Sequence, residues 1–216
     1  MTIQTRRNFL SKLLFLSASF VGLYPLAKSS NARSLPTPSH TEGPFYPINK
    51  PIDQDADLTF VNNNKELAQG DIHILQGRVL DTNEKPISNA LVEIWQANAW
   101  GRYQDPRDKS NLRWDKNFQG YGKVKTNVAG NYRFRTIRPS GYNYNGIKRT
   151  PHIHFKVTSE NKRVFTTQMY FAGEIENEED MFLQNIKRKD SVVVAFKAMP
   201  SNEKIGTFDI IVRTDS

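Results

Sequence analysis

His152-Ile153-His154 opens an apolar run of β character, and side chains two apart on a strand stand on the same face. Two imidazoles side by side can share one metal ion, or they can be a buried, hydrogen-bonded pair with no metal at all. Carboxylates do not complete a site: residues 140–162 contain only Glu160, beyond the strand, so the two-histidine, one-carboxylate arrangement of iron(II) lacks its third member. The other histidines, His40 and His73, stand in a proline-rich segment and in an early strand, where no local pattern aims them at the pair. What the flanking segments offer is tyrosine, at 103, 121, 142 and 144. A phenol with a pKa near ~10 becomes a ligand only where a strong Lewis acid drives off its proton, which points to a hard trivalent ion, iron(III) above all. Any one of these tyrosines can instead be a rim residue with a satisfied hydroxyl.

The elements that must position these groups read as short β runs separated by turns, the pattern of a sandwich or barrel and not of βαβ units. Strands are expected over 72–80, 90–95, 132–136, 152–157, 164–171, 192–196 and 207–213. The fold expected is therefore all-β, an antiparallel β-sandwich with long functional loops and one short helix. That helix is placed over 177–187, with Asn177 as N-cap and Met181, Phe182 and Ile186 on one side. Segments 101–124 and 139–151 are aromatic and irregular, and long loops in a compact domain commonly carry function.

The chain has 216 residues, enough for one domain with a sizeable core, and no cysteine. Disulfide scaffolds, thiol nucleophiles, zinc ribbons and iron–sulfur clusters are excluded, so any metal must take N and O ligands. Thirty Lys and Arg against 22 Asp and Glu leave a net +8, which on its face suits an anionic partner such as nucleic acid. Arg6, Arg7, Lys12 and Lys28 supply four of those charges, however, and lie in residues 1–32, where a basic start, an apolar stretch and small residues follow in the order of an export signal. Thr5-Arg6-Arg7-Asn8-Phe9-Leu10-Ser11-Lys12 resembles the signature read by the twin-arginine translocon, which passes folded proteins. The organisation expected is a signal peptide at 1–32, a proline-rich arm at 33–70 and a catalytic sandwich at 71–216. The expected location is exported, periplasmic or extracellular. The remaining basic residues are scattered among acids with no nucleic-acid motif, so no nucleic-acid partner is expected.

Three segments together carry a resemblance: Leu91-Val92-Glu93-Ile94-Trp95-Gln96-Ala97-Asn98-Ala99-Trp100-Gly101-Arg102-Tyr103, Phe134-Arg135-Thr136-Ile137-Arg138-Pro139 leading to Tyr142, and Arg149-Thr150-Pro151-His152-Ile153-His154-Phe155. In order and spacing, from Thr41-Glu42-Gly43-Pro44-Phe45-Tyr46 to Phe208-Asp209-Ile210, the chain resembles the intradiol ring-cleavage dioxygenases of catechol and protocatechuate type. The resemblance implies a β-sandwich with one non-haem iron(III) held by Tyr103, Tyr142, His152 and His154. It implies a charge-stabilising role for Arg149 and an orienting role for Gln168, and it puts Trp95, Tyr144 and Pro44 in the substrate pocket.

The activity implied is cleavage of a catechol-type ring between its two hydroxyl-bearing carbons, with both atoms of O2 retained in a muconate-type dicarboxylate. A catechol loses two protons on chelating a metal, and Tyr142 is the implied acceptor of one. The loop 143–151 is short and lacks the tryptophan of some family members, and few residues precede Thr41 after the signal, so the layout is nearer the compact protocatechuate-type subunits. Self-association and a partner subunit both stay open. The alternative reading is an exported, non-catalytic β-sandwich binding module in which the same Tyr and His are structural.

Overall fold

A computed structural model describes residues 33–213, apart from residues 63 and 162; the expected signal segment 1–32 lies outside the described residues. The strands are β1 (Ile72–Asp81), β2 (Leu91–Trp95), β3 (Tyr121–Lys125), β4 (Asn131–Ile137), β5 (Tyr142–Tyr144), β6 (Ile147–Arg149) and β7 (His152–Thr158). They continue with β8 (Val164–Phe171), β9 (Val193–Val194), β10 (Lys197–Ala198), β11 (Lys204–Thr207) and β12 (Ile210–Val212). One short helix, α1 (Met181–Gln184), follows a 3-10 turn at Ile175–Glu178.

Two sheets face each other. In the first, β1 is flanked by β4 on one side and by β11 and β12 on the other; the second has the order β3-β2-β7-β8-β9. Alternation on β4 buries Tyr132, Phe134 and Thr136 and leaves Asn131 and Arg133 exposed, the pattern of a strand with one wet face. Leu75, Val79 and Phe134 from the first sheet meet Val92, Ile94, Ile153 and Phe155 from the second in one buried cluster.

The sandwich is the expected all-β fold, with three strand pairs running parallel: β1 with β11, β1 with β12, and β8 with β9. The expected strand over 207–213 is two strands, because Phe208 and Asp209 leave the ladder. Gly77 lies opposite this break, where an added Cβ would stand 2.0 Å from the Phe208 carbonyl oxygen. The backbone can approach that closely only at glycine, and the Tyr132 hydroxyl donates to the same carbonyl at 2.5 Å.

The helix is shorter than expected, and its cap is Asp180, whose carboxylate accepts from the Phe182 and Leu183 amides. Asn177 is a tether instead: its side chain donates to the Phe171 carbonyl and accepts from the Thr150 hydroxyl, so it is not free to cap. The expected strand over 192–196 pairs only at Val193–Val194. Two segments expected to be irregular contain strands, β3 and the β5–β6 hairpin. Asn145 and Gly146 join that hairpin with φ of 51° and 82°, the positive angles that a type I′ turn demands and that Asn-Gly supplies cheaply.

The arm 33–70 is not an appendage. Its Thr37 and His40 amides donate to the Ile211 and Thr166 carbonyls, Leu58 is fully buried in the main core, and Phe45 is buried at the site described next.

Candidate metal centre

On β7, Ile153 and Phe155 point into the inter-sheet core, so His152 and His154 must point to the outer face of the second sheet. That face would be exposed but for what covers it: the arm, the turn before Tyr103, the β5–β6 hairpin and the segment around α1. Both imidazoles are buried, and their Nε2 atoms are 3.2 Å apart. His152 Nδ1 lies 2.6 Å from the Thr150 carbonyl, which can only accept, so Nδ1 carries the proton and the Nε2 lone pair faces its neighbour.

Tyr103 reaches the pair from a loop whose shape is set by Asn98. The Asn98 side chain accepts from the Trp100 and Arg102 amides and donates to the Arg113 carbonyl. Gly101, at φ 84°, turns where a Cβ would stand 2.4 Å from the Gly141 carbonyl oxygen, and this brings the loop against the strand that carries Tyr142. Tyr103 is 2% exposed, stacks on Phe45 at 4.5 Å and meets Tyr142 edge-on at 5.3 Å. Tyr142, on β5, lies 5.6 Å from the His152 ring and is only partly buried.

Trp95, the cross-strand partner of His154, stacks on it at 4.8 Å and 11°. The four expected ligands therefore converge. Three polar atoms here are buried without a hydrogen-bond partner: the Tyr103 hydroxyl, His154 Nδ1 and Trp95 Nε1. An orphaned phenol beside two imidazole lone pairs is what a cation site looks like from its protein side.

Burial holds both imidazoles well below the usual histidine range; the Arg149 charge adds to this at His152, and His152 adds to it at His154. They are neutral at pH 7, the form that ligates. Burial likewise pushes Tyr103 well up, with Tyr142 contributing, and raises Tyr142 against the opposing pull of Arg149. Neither phenol ionises without a strong cation next to it. Among the described residues no group of three or more His, Asp or Glu could hold a metal. The donor set here is two imidazoles and two phenols with no carboxylate, and it fits a hard, highly charged ion.

Behind the ligands Arg149 is buried in a polar lattice. Its Nε donates to Asp180 at 2.8 Å, its Nη2 donates to Gln168 Oε1 at 2.6 Å, and the Tyr170 hydroxyl donates to the same Gln168 oxygen at 2.9 Å. Gln168 is the register partner of His154 on β8. Asp180, Tyr170 and Phe45 join this cluster and were not singled out from the sequence. Asp180 carried a signal, as an acid just before an apolar helical turn. The other two carried none beyond being aromatic.

A cavity of about 340 Å³ opens beside the centre, lined by Phe45, Arg107, Lys109, Tyr142 and Tyr144 among others. Of the three expected pocket residues Tyr144 lines this cavity and Pro44 and Trp95 do not, while Phe45 does. A larger groove, about 1170 Å³, runs along residues 36–39 and the β7–β8 turn and contains none of the site residues. The tyrosine–histidine cluster, and not this groove, marks the candidate site.

Two imidazoles and two phenols thus meet on the outer face of a β-sandwich, beside a small open pocket. The chain belongs to the dioxygenase family, whose model matches residues 41–214. The protocatechuate 3,4-dioxygenase beta chain of Burkholderia cepacia is 42% identical over 129 residues, covering 57% of this chain and 54% of that one. Catechol 1,2-dioxygenase 1 of Acinetobacter lwoffii is 32% identical over 152 residues, covering 64% and 47%. The chain thus spans about half the length of these curated relatives. Among solved structures, the dioxygenase domain of a dioxygenase carbohydrate-binding protein fusion from Streptomyces sp. SirexAA-E is 27% identical with a TM-score of 0.62, covering 83% of this chain and 99% of that one. The intradiol ring-cleavage dioxygenase from Tetranychus urticae shares the fold, with a TM-score of 0.65 at 22% identity over 83% and 95%.

Proposed function

We propose that this protein is a non-haem iron(III) intradiol dioxygenase. It opens a catechol-type ring between the two hydroxyl-bearing carbons and incorporates both atoms of O2, giving a muconate-type dicarboxylate. The observation that carries this reading is the convergence of Tyr103, Tyr142, His152 and His154, with an Nε2–Nε2 separation of 3.2 Å and no carboxylate among them. Family membership and the catechol and protocatechuate dioxygenases among the relatives support it.

When bound, iron(III) supplies Lewis acidity and draws electron density from the ring, which makes a ring carbon reactive toward dioxygen. The chain supplies the rest. A catechol gives up two protons on binding, and the two tyrosines are unequal as acceptors: the Tyr103 hydroxyl is buried, whereas Tyr142 is only partly buried and borders the larger cavity beside the centre. Tyr142 is therefore the residue that takes one substrate proton and moves aside, and the other passes to solvent hydroxide or water in the open cavity. Arg149, its guanidinium fixed by Asp180 and Gln168, keeps a positive charge where negative charge grows during oxygen addition. Trp95 holds the His154 ring by stacking, and Phe45 and Tyr144 wall the cavity.

The test is oxygen uptake on a panel of catechol, protocatechuate, hydroxyquinol and substituted catechols, with bound iron measured alongside. His154→Ala should lose iron and activity together. A purified chain that stays colourless after expression with iron would defeat the reading.

Residues 1–32 as a twin-arginine signal, with a periplasmic or extracellular destination, belong to the same proposal. Fractionation of cells carrying Arg6→Lys with Arg7→Lys tests it, and unaltered export would refute it. Self-association or a partner subunit is tested by the mass of the purified protein in solution.

A further inference from the structure

We propose that Glu93, outside the ligand set, is a positioning residue that ties the arm down over the metal centre and so keeps Trp95 and His154 in place. The inference rests on the assignment of His154 to that centre.

β2 and β7 form a four-residue block on the outer face of the second sheet. Trp95 pairs with His154, and one step away along the same face Glu93 pairs with Lys156. The metal end of the block and its charged end are therefore rigidly connected. Residues 42–50 of the arm cross the whole block. Gly43 passes over His154 so closely that a Cβ would stand 3.3 Å from Cε1. Tyr46 meets Trp95 edge-on at 4.9 Å, on a ring that itself stacks on His154. The arm thus presses Trp95 onto the imidazole.

Beside the buried Phe45 ring, what holds the arm there is charge. A single oxygen of the buried Glu93 carboxylate accepts from the Tyr121 hydroxyl at 2.6 Å, the Tyr46 hydroxyl at 3.1 Å and Lys50 Nζ at 3.2 Å. Lys50 also lies over the Tyr46 ring at 3.5 Å and the Tyr121 ring at 4.2 Å. At the near end of the strap Glu42 pairs with Lys156 at 2.6 Å, and Lys156 lies 4.2 Å over the Tyr46 ring. Each sheet charge thus finds its opposite on the arm, Glu93 with Lys50 and Lys156 with Glu42, and lifting the arm breaks both pairs. Among the backbone hydrogen bonds between elements in the described residues, none is donated by an amide of residues 42–50, although Arg107 donates to the Tyr46 carbonyl. Side chains, with Glu93 at their hub, therefore set how often this stretch opens.

The test uses the full chain as wild type, Glu93→Gln, Lys50→Met, Lys50→Arg and, as a control, Arg78→Gln, which breaks an exposed ion pair elsewhere. The first readout is the rate of chymotryptic cutting between Phe45 and Tyr46, followed by mass spectrometry. Glu93→Gln and Lys50→Met should each speed this cut roughly ten- to hundredfold, the change expected from losing a hydrogen bond to a charged group. Lys50→Arg and Arg78→Gln should leave it near wild type. The second readout is release of iron to a chelator, which should quicken in the same two variants.

Unchanged cutting in both variants overturns the proposal, and so does an equal increase at every chymotryptic site, which would report general unfolding. A loosened arm with unaltered iron release overturns the positioning role. A chain that takes up no iron and consumes no oxygen would defeat the ring-cleavage reading instead, and the cutting rates would still decide what Glu93 does to the arm.

Discussion

Replacing Asp180 by Asn perturbs the centre without touching a ligand. The Asp180 side chain is fully buried and its partner Arg149 nearly so, at 0% and 6% exposure. One carboxylate oxygen takes Arg149 Nε at 2.8 Å and the Thr150 amide at 3.0 Å; the other takes the Phe182 and Leu183 amides, both at 3.0 Å. Asparagine can keep one of these pairs through its carbonyl, but its NH2 then faces two donors. The Arg149 charge loses its buried counterion and keeps Gln168, the Tyr170 hydroxyl at 3.4 Å and the Phe182 ring. Breaking one side of a buried ion pair costs about 3–5 kcal/mol. For a domain of this size that lowers the melting temperature by roughly 6–20 °C.

Calorimetry measures that loss, and oxygen uptake under iron saturation measures the accompanying fall in kcat as Arg149 shifts. Arg78→Ala, at a pair 50% and 32% exposed, should change stability by no more than about 1 kcal/mol. Adding Arg149→Met to Asp180→Asn should recover stability, because it removes the stranded charge, while activity stays lost. If Asp180→Asn melts with the parent and turns over at the parent rate, then Asp180 does not hold Arg149 and the account of this lattice is wrong.

Two further outcomes follow from the centre itself. Tyr103→Phe removes a buried hydroxyl with no partner, so the iron-free protein should be unchanged or more stable by about 1 kcal/mol in urea melts while iron binding falls; a large loss of stability would show that the hydroxyl is paired. Stability of the iron-free protein should also depend on pH through His152 and His154, whose folded-state values are depressed by burial. Below about pH 6.5 the unfolded chain binds protons that the folded one refuses, so stability is full above that pH and falls as the pH drops, by up to roughly 1.4 kcal/mol per unit for each histidine. Urea midpoints between pH 7 and 5 check the slope, and a double replacement of the two by Asn should reduce it, leaving the share of His40 and His73, which burial also depresses.

Much of the fold was legible because its signals are local. Alternation marked 72–80, 90–95, 132–136, 152–157 and 164–171, and the strands observed there match closely. His152 and His154 on one strand face needed only the two-residue period. The hairpin carrying Tyr142 was missed: Asn145-Gly146 is a turn signal, but the aromatic, short-stranded neighbourhood reads as loop. β3 was obscure for a different reason: five residues with Gly122 inside them and two lysines pointing outward give little apolar pattern.

The sequence by itself determined the chemistry available: no thiol, no carboxylate near the histidine pair, phenols in the flanking loops, and motifs whose order points to a family. Only the tertiary structure decided how these groups meet. Tyr103 arrives because Asn98 and Gly101 fold a turn against Gly141, and Arg149 is held by an aspartate 31 residues away. The terminal strands pair with β1 in parallel across more than 120 residues. Contacts of that kind form between side chains far apart in the chain, where no periodicity records them and only the packing of two sheets and one arm brings them together.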